Sequence, residues 1–248
     1  MTEHDWSPLP RPGTRVVVTG AAGGLGRALV AALTQVDARV VGIDRVAAGP
    51  GHLVADLTDE TAAAQAVTEA VERLGGLDAV IGAAGIVDTV HRASTFPLEA
   101  FRSDVDANLV AQFVLARAAY PALKESAGSI VFLSSVAAED GLPGQAAYAA
   151  AKAGVLGLTR SLAAEWGGGG GVRVNAVEPG LFATPKVLAM PESARERLLA
   201  GVPMGRVATL GEVVGSVLYL LSPAAGYTTG QALRLDGGSG LTRGGFYR

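Results

Sequence analysis

The chain has no cysteine, which excludes disulfides and thiolate metal centres and fits a reducing compartment, so a cytoplasmic location is expected. Histidine is nearly as scarce: His4, His52 and His91 are scattered without ligand spacing, and no metal site is expected. Aromatic residues make up 5% of the chain, and lysine occurs only at Lys124, Lys152 and Lys186. There is no excess of positive charge either. A net charge of −3 without any basic cluster argues against a surface for nucleic acid. No apolar run approaches the ~18 residues of a membrane span, so no membrane partner is expected. The first thirteen residues carry Glu3, Asp5 and three prolines with no apolar core. They read as a flexible extension, 1–13, rather than a secretory signal.

What is abundant is small and apolar: 49% hydrophobic residues, 34 glycines and only 17% charged residues in 248. That is enough chain to bury one large core. The β-branched run Val16-Val17-Val18 reads as a strand buried on both faces. A glycine turn follows, then a helix over 27–35. Strands are predicted at 39–43, 52–55, 79–82, 129–133, 172–177 and 232–235. Helices are predicted at 58–74 with Thr58 as its cap, 97–126, 146–166 and 210–221. Such alternation implies right-handed crossovers and an α/β architecture, with a parallel sheet of about seven strands covered by helices on both faces. Residues 14–248 show no natural cut and read as one doubly wound domain. The five glycines 167–171 read as a flexible connector.

Gly20, Gly24 and Gly26 follow the first strand and open the first helix. That context lets backbone amides, including those of Leu25 and Gly26, approach a pyrophosphate at the positive end of a helix. The spacing G-x-x-x-G-x-G departs from the usual G-x-G-x-x-G. Asp44 ends the second strand about twenty residues later, where a carboxylate accepts from an adenosine ribose and repels a 2′-phosphate. This favours NAD, with NADP the weaker alternative. Arg45 is the counterweight, since a guanidinium accommodates phosphate; otherwise it faces solvent or stacks on adenine.

Tyr148 and Lys152 stand four apart in an Ala-rich run, so in a helix they share a face one turn apart. A phenol titrates near ~10, and an ammonium beside it favours the phenolate. Taken alone, such a pair reads first as two surface neighbours. Ser135, thirteen residues before Tyr148, adds a hydroxyl to the pair.

In order and spacing, Thr19-Gly20-x-x-x-Gly24-x-Gly26, Asp56-Leu57, Ala84-Gly85, Asn108, Ser135, Tyr148-x-x-x-Lys152, Pro179-Gly180 with Thr184, and Asp236-Gly237-Gly238 resemble the classical short-chain dehydrogenase/reductase family over 15–238. The resemblance implies a Rossmann-type fold and four catalytic positions. Tyr148 is the expected general acid and base, and Ser135 holds the substrate oxygen. Lys152 lowers the Tyr148 pKa and holds the nicotinamide ribose, and Asn108 keeps a water in a proton path. It also implies that Asp56, Leu57, Ala84, Gly85, Pro179, Gly180, Phe182 and Thr184 contact the cofactor. A substrate lid over 183–201 with a short helix at 193–199 is expected. The segment between Ser135 and Tyr148 offers Glu139, Leu142 and Gln145 as a substrate wall.

Two positions depart from the family pattern. Gly82-Ala83-Ala84-Gly85 stands where Asn-Asn-Ala-Gly is usual, so an amide that braces the central strands is missing. Glu178 precedes Pro179 where a small or neutral residue is usual, and it either faces the cleft as a substrate contact or ends the strand in solvent. The resemblance implies an NAD-dependent oxidoreductase interconverting a secondary alcohol and a ketone, acting as a homotetramer on a small-molecule substrate. The alternatives are an NADPH-dependent reductase of 3-oxoacyl groups and a non-catalytic dinucleotide sensor. The tail with Phe246 and Tyr247 is expected to reach a neighbouring subunit or fray.

Overall fold

A computed structural model describes residues 6–47, 49–87, 90–169 and 171–241; the terminal Phe246 and Tyr247 lie outside these. The chain runs β1 (Arg15–Thr19), α1 (Gly24–Gln35), β2 (Arg39–Asp44), β3 (Leu53–Val54), α2 (Glu60–Leu74) and β4 (Ala79–Gly82). Next come α3 (Leu98–Val105), a π-helical turn (Asp106–Val110), α4 (Ala111–Ser126), β5 (Ser129–Leu133), α5 (Ala137–Asp140) and α6 (Ala146–Gly169). The last part holds β6 (Arg173–Pro179), α7 (Pro185–Leu188), α8 (Glu192–Leu199), α9 (Leu210–Leu221) and β7 (Ala232–Leu235).

The described strands form one parallel sheet in the order β3-β2-β1-β4-β5-β6-β7. The chain builds outward from β1 to β3, then crosses back to lay β4 on the other side of β1. A crevice opens where the direction of winding reverses, outside the carboxyl ends of β1 and β4. The register makes those ends line up: Thr19 pairs with Ile43 and with Gly82, Gly82 with Phe132, Leu133 with Val177, and Pro179 with Leu235.

The strands are apolar on both faces because both are covered. Val17, Val80, Ile130 and Phe132 pack with α2, α4 and α6, while Val16, Ile81, Val131 and Val177 pack with α1 and α9. Each such side chain, moved fully out of water, contributes about 1.5–3 kcal/mol.

Several local expectations are corrected by the structure. The cap of α2 is Asp59, whose carboxylate accepts from the amides of Thr61 and Ala62; Thr58 instead donates its amide and hydroxyl to Asp56. The predicted helix 97–126 is interrupted by the π-helical turn. Gly167, Gly168 and Gly169 continue α6 rather than forming a connector, carried by Trp166, which stacks on Tyr120 at 4.4 Å. Residues 6–13 are not free: the Ala224 amide donates to the Ser7 carbonyl, the Gly13 amide to the Asp37 carbonyl, and Pro10 is buried. The segment 183–201 contains α7 in addition to the expected helix, which begins at Glu192.

Candidate active site

The turn after β1 is built around positions where only hydrogen fits. Gly20 sits at φ +68°, and a Cβ there would come within 2.9 Å of the Ala83–Ala84 backbone. A Cβ on Gly26 would fall on the Gly20 carbonyl oxygen. The start of α1 therefore packs directly on the turn. Its N-cap, Gly23, offers no side-chain acceptor to the first amides of the helix, which leaves them for an anion. Asp44 is held at the end of β2: one carboxylate oxygen accepts from the Ala22 amide at 2.9 Å, the other from the Val46 amide at 3.3 Å. An open cleft runs from these residues past Arg45, Asp56, Leu57, Ala84 and Gly85. Hydrogen bonds from Thr58, with Arg45 nearby, hold the Asp56 carboxyl below the usual range. An uncapped helix start, a glycine floor and a fixed carboxylate fit a dinucleotide.

Beyond Gly85 the second group of residues converges. Ser135 follows β5 directly, and the turn of α5 brings the chain round so that Tyr148 falls in the first turn of α6 and Lys152 one turn later. The buried Lys152 Nζ donates to the Leu133 carbonyl at 2.7 Å and lies 5.6 Å from the centre of the Tyr148 ring. The Ser134 hydroxyl donates to the Lys152 carbonyl at 2.9 Å, fastening α6 to β5. Burial pushes Lys152 down to about 8. Burial also pushes Tyr148 up, against a smaller opposite effect of its hydrogen bond with Ser135. The expected lowering of Tyr148 by Lys152 is thus not the dominant influence; withdrawal of the phenol from water is.

Asn108 occupies the middle of the π-helical turn, fully buried. Its Oδ1 accepts from the Ile86 amide at 3.1 Å and its Nδ2 donates to the Asp104 carbonyl at 3.0 Å. Gly85 separates it from Lys152: a Cβ there would stand 2.7 Å from Asn108 Oδ1 and 3.4 Å from Lys152 Nζ. The glycine thus keeps a gap between the two.

The remaining sequence candidates are distributed less evenly. Gly24 faces the start of α7, since a Cβ on it would lie 3.3 Å from Pro185. Leu25 packs into the core beside α9. Pro179 is buried in β6, and the Gly180 amide donates to the Leu235 carbonyl. Phe182 forms a bridge with Ala208, and the Thr184 hydroxyl caps α7 by accepting from the Val187 amide. Leu142 is 40% exposed. Gln145 is buried, and its Nε2 donates to the Val87 carbonyl at 3.2 Å; Lys186 Nζ donates to the same oxygen at 3.3 Å.

Glu139 and Glu178 belong to a different group. Arg234 on β7 pairs with Glu139, Asp140 and Asp236, which places Glu139 in an ion-pair cluster. Glu178 is 2% exposed, which rules out a solvated strand end, and its Oε1 has no partner. Burial first, then Glu139 and Asp140, push its pKa up against Arg234 and Arg160. Thr19 of the glycine motif is buried under this region, and so are two polar side chains without a motif, Gln112 and Ser134. Their only signal in the sequence is a polar residue inside an apolar stretch.

A family model described as enoyl-(acyl carrier protein) reductase matches residues 20–240. The chain belongs to the short-chain dehydrogenase/reductase family. It is 35% identical to a 3-oxoacyl-[acyl-carrier-protein] reductase of Thermotoga maritima over 237 residues, covering 90% of this chain and 96% of that one. It is 33% identical to a 2-dehydro-3-deoxy-L-rhamnonate dehydrogenase (NAD(+)) of a Sphingomonas strain, covering 91% and 95%. The solved structure of gox2181 superposes with a TM-score of 0.87 at 32% identity, over 93% of this chain and 97% of that one. As a short-chain dehydrogenase/reductase the chain is an oxidoreductase built to hold a nicotinamide dinucleotide. None of its described helices is long and apolar enough to cross a membrane.

Proposed function

We propose that the protein interconverts a secondary alcohol and a ketone with NAD. The observation that carries this reading is the triangle of half-buried Ser135 and Tyr148 with buried Lys152, set against the carboxyl edge of the sheet, next to the dinucleotide cleft. A nicotinamide dinucleotide held in the cleft by Asp44, Ala84 and Gly85 would supply or take up the hydride exchanged with the carbinol carbon. In the oxidative direction Tyr148 accepts the hydroxyl proton, and in reduction it returns a proton to the carbonyl oxygen. Ser135 already shares a hydrogen bond with the phenol, and it holds the same oxygen of the substrate as charge develops there. Lys152 has only one of its donors committed to Leu133, and the others serve the ribose and the forming phenolate. Asn108, where the helix departs from the regular backbone ladder, supports the exit of the proton towards solvent.

The preference for NAD rests on Asp44, held by Ala22 inside the cleft. A relative whose name includes NAD(+) supports it. Arg45 beside Asp44 and the kinship to a 3-oxoacyl reductase favour a second reading, reduction of 3-oxoacyl groups with NADPH. Val110 and Phe113 are 40% and 41% exposed at the start of α4, which supports association of cytoplasmic copies, in a homotetramer, through that helix. The test is a screen of secondary alcohols with NAD, read by NADH absorbance, on the parent and on Tyr148→Phe. Loss of turnover by at least a hundredfold in the variant is expected. Undiminished turnover would sink the assignment.

A further inference from the structure

We infer that Gln112 is a positioning residue of the dinucleotide cleft, acting through the carbonyl of Ala84, and that Gly82 is glycine in order to admit it. The inference rests on the reading of the cleft as a dinucleotide site. Gln112 lies in the first turn of α4 and is 1% exposed, among Ala111, Val114, Leu115 and Ala116 of the core. An amide in such company costs stability unless something uses it. Its Nε2 donates to the Ala84 carbonyl at 2.7 Å, while its Oε1 has no partner. That oxygen lies where a Cβ on Gly82 would be, between the strand and Phe132. Any other residue at 82 displaces the amide.

The wall 84–86 is held from three directions. Thr19 Oγ1 accepts from the Ala84 amide at 3.2 Å, Asn108 Oδ1 accepts from the Ile86 amide, and Gln112 takes the Ala84 carbonyl. Both polar groups of Ala84 are thereby fixed by side chains of separate elements, and the next residue, Gly85, borders both the cleft and Lys152. The strand end lacks a side chain that can provide an amide at 82 or 83, and the helix provides it instead. Gln112 itself is not part of the cleft lining, so its effect is on the placement of 84–86.

The experiment compares the parent with Gln112→Met, which keeps the volume and removes both the donor and the orphaned oxygen. The readouts are calorimetric Kd for NAD, melting temperature, and amide hydrogen exchange. Loss of one buried hydrogen bond predicts a Kd raised about tenfold. Exchange over 83–87 should quicken while that over 113–126 stays as in the parent, with the melting temperature nearly unchanged. If Gln112→Met does not fold, Gln112→Asn, which keeps an amide too short to reach Ala84, takes its place with the same expected outcome. An unchanged Kd and exchange pattern in a folded variant overturns the inference alone, and so does failure of both variants to fold, which assigns Gln112 to the core. If the parent binds neither NAD nor NADP, the underlying reading fails and this inference goes with it.

Discussion

Replacing Lys152 by methionine should make the protein more stable at neutral pH while abolishing turnover. The ammonium is enclosed, and among the described residues its one acceptor is the Leu133 carbonyl, with no carboxylate partner. Burial lowers its pKa from 10.5 to about 8. In the unfolded chain the side chain stays protonated up to its ordinary pKa, so between about 8 and 10.5 the unfolded state binds more protons and stability rises with pH. Below pH 8 both states are protonated and the fold bears the whole cost. At 1.36 kcal/mol per pH unit that cost is roughly 3 kcal/mol. Methionine removes it, but also deprives the Leu133 carbonyl of a donor, which costs about 1 kcal/mol. The net gain of roughly 2 kcal/mol corresponds to a melting temperature higher by about 4–8 °C for a chain of this size. The assay is thermal unfolding of parent and Lys152→Met at pH 7 and again near pH 10, with NADH formation followed in parallel. The gain should shrink at the higher pH. A variant less stable than the parent at pH 7, or a gain independent of pH, would refute the reasoning.

Glu178→Gln should also stabilise, with the opposite pH profile. A carboxyl whose pKa is raised in the fold costs nothing below its unfolded value and its full penalty once pH has passed the folded value, so parent and variant should melt together near pH 4 and separate at pH 7. Gly26→Ala should lose dinucleotide binding and at least ~2 kcal/mol of stability, because its Cβ coincides with the Gly20 carbonyl; a folded variant that retains NAD affinity in calorimetry contradicts the packing described. Asp44→Ala should narrow the preference for NAD over NADP by about tenfold or more, read as the ratio of the two Kd values. An unchanged ratio removes Asp44 from cofactor selection.

The sheet was legible because its strands are short apolar runs bounded by turn residues, a local pattern that survives without tertiary information. The motif residues were legible for the same reason: glycines at the turn and Tyr148 one helical turn before Lys152 are local relationships. What escaped depends on partners far along the chain. Thr58 and Asp59 are both suitable caps, and the choice falls to Asp59 because Asp56 takes Thr58. Gly167–Gly169 look like a linker until Trp166 finds Tyr120. Glu139 gains its ion pair only when β7 brings Arg234 to it, and Gln112 acquires a purpose only from the missing side chain at Gly82, thirty residues earlier. The short helices α5 and α7 have four residues each, too few for a periodic signal.

The Val87 carbonyl receives both Gln145 from the segment after Ser135 and Lys186 from the segment 183–201. Lys152, by contrast, is moored to β5 and the residue after it through Leu133 and Ser134. The two groups thus hang from different anchors. For anyone seeking to retrain the enzyme on a new substrate, that separation sets the order of work: diversify 141–145 together with 185–199 as one unit, keep their common tie at Val87, and leave the moorings of β5 untouched. Loop libraries that alter only one of the two segments would leave the other clinging to an acceptor shaped for its former companion.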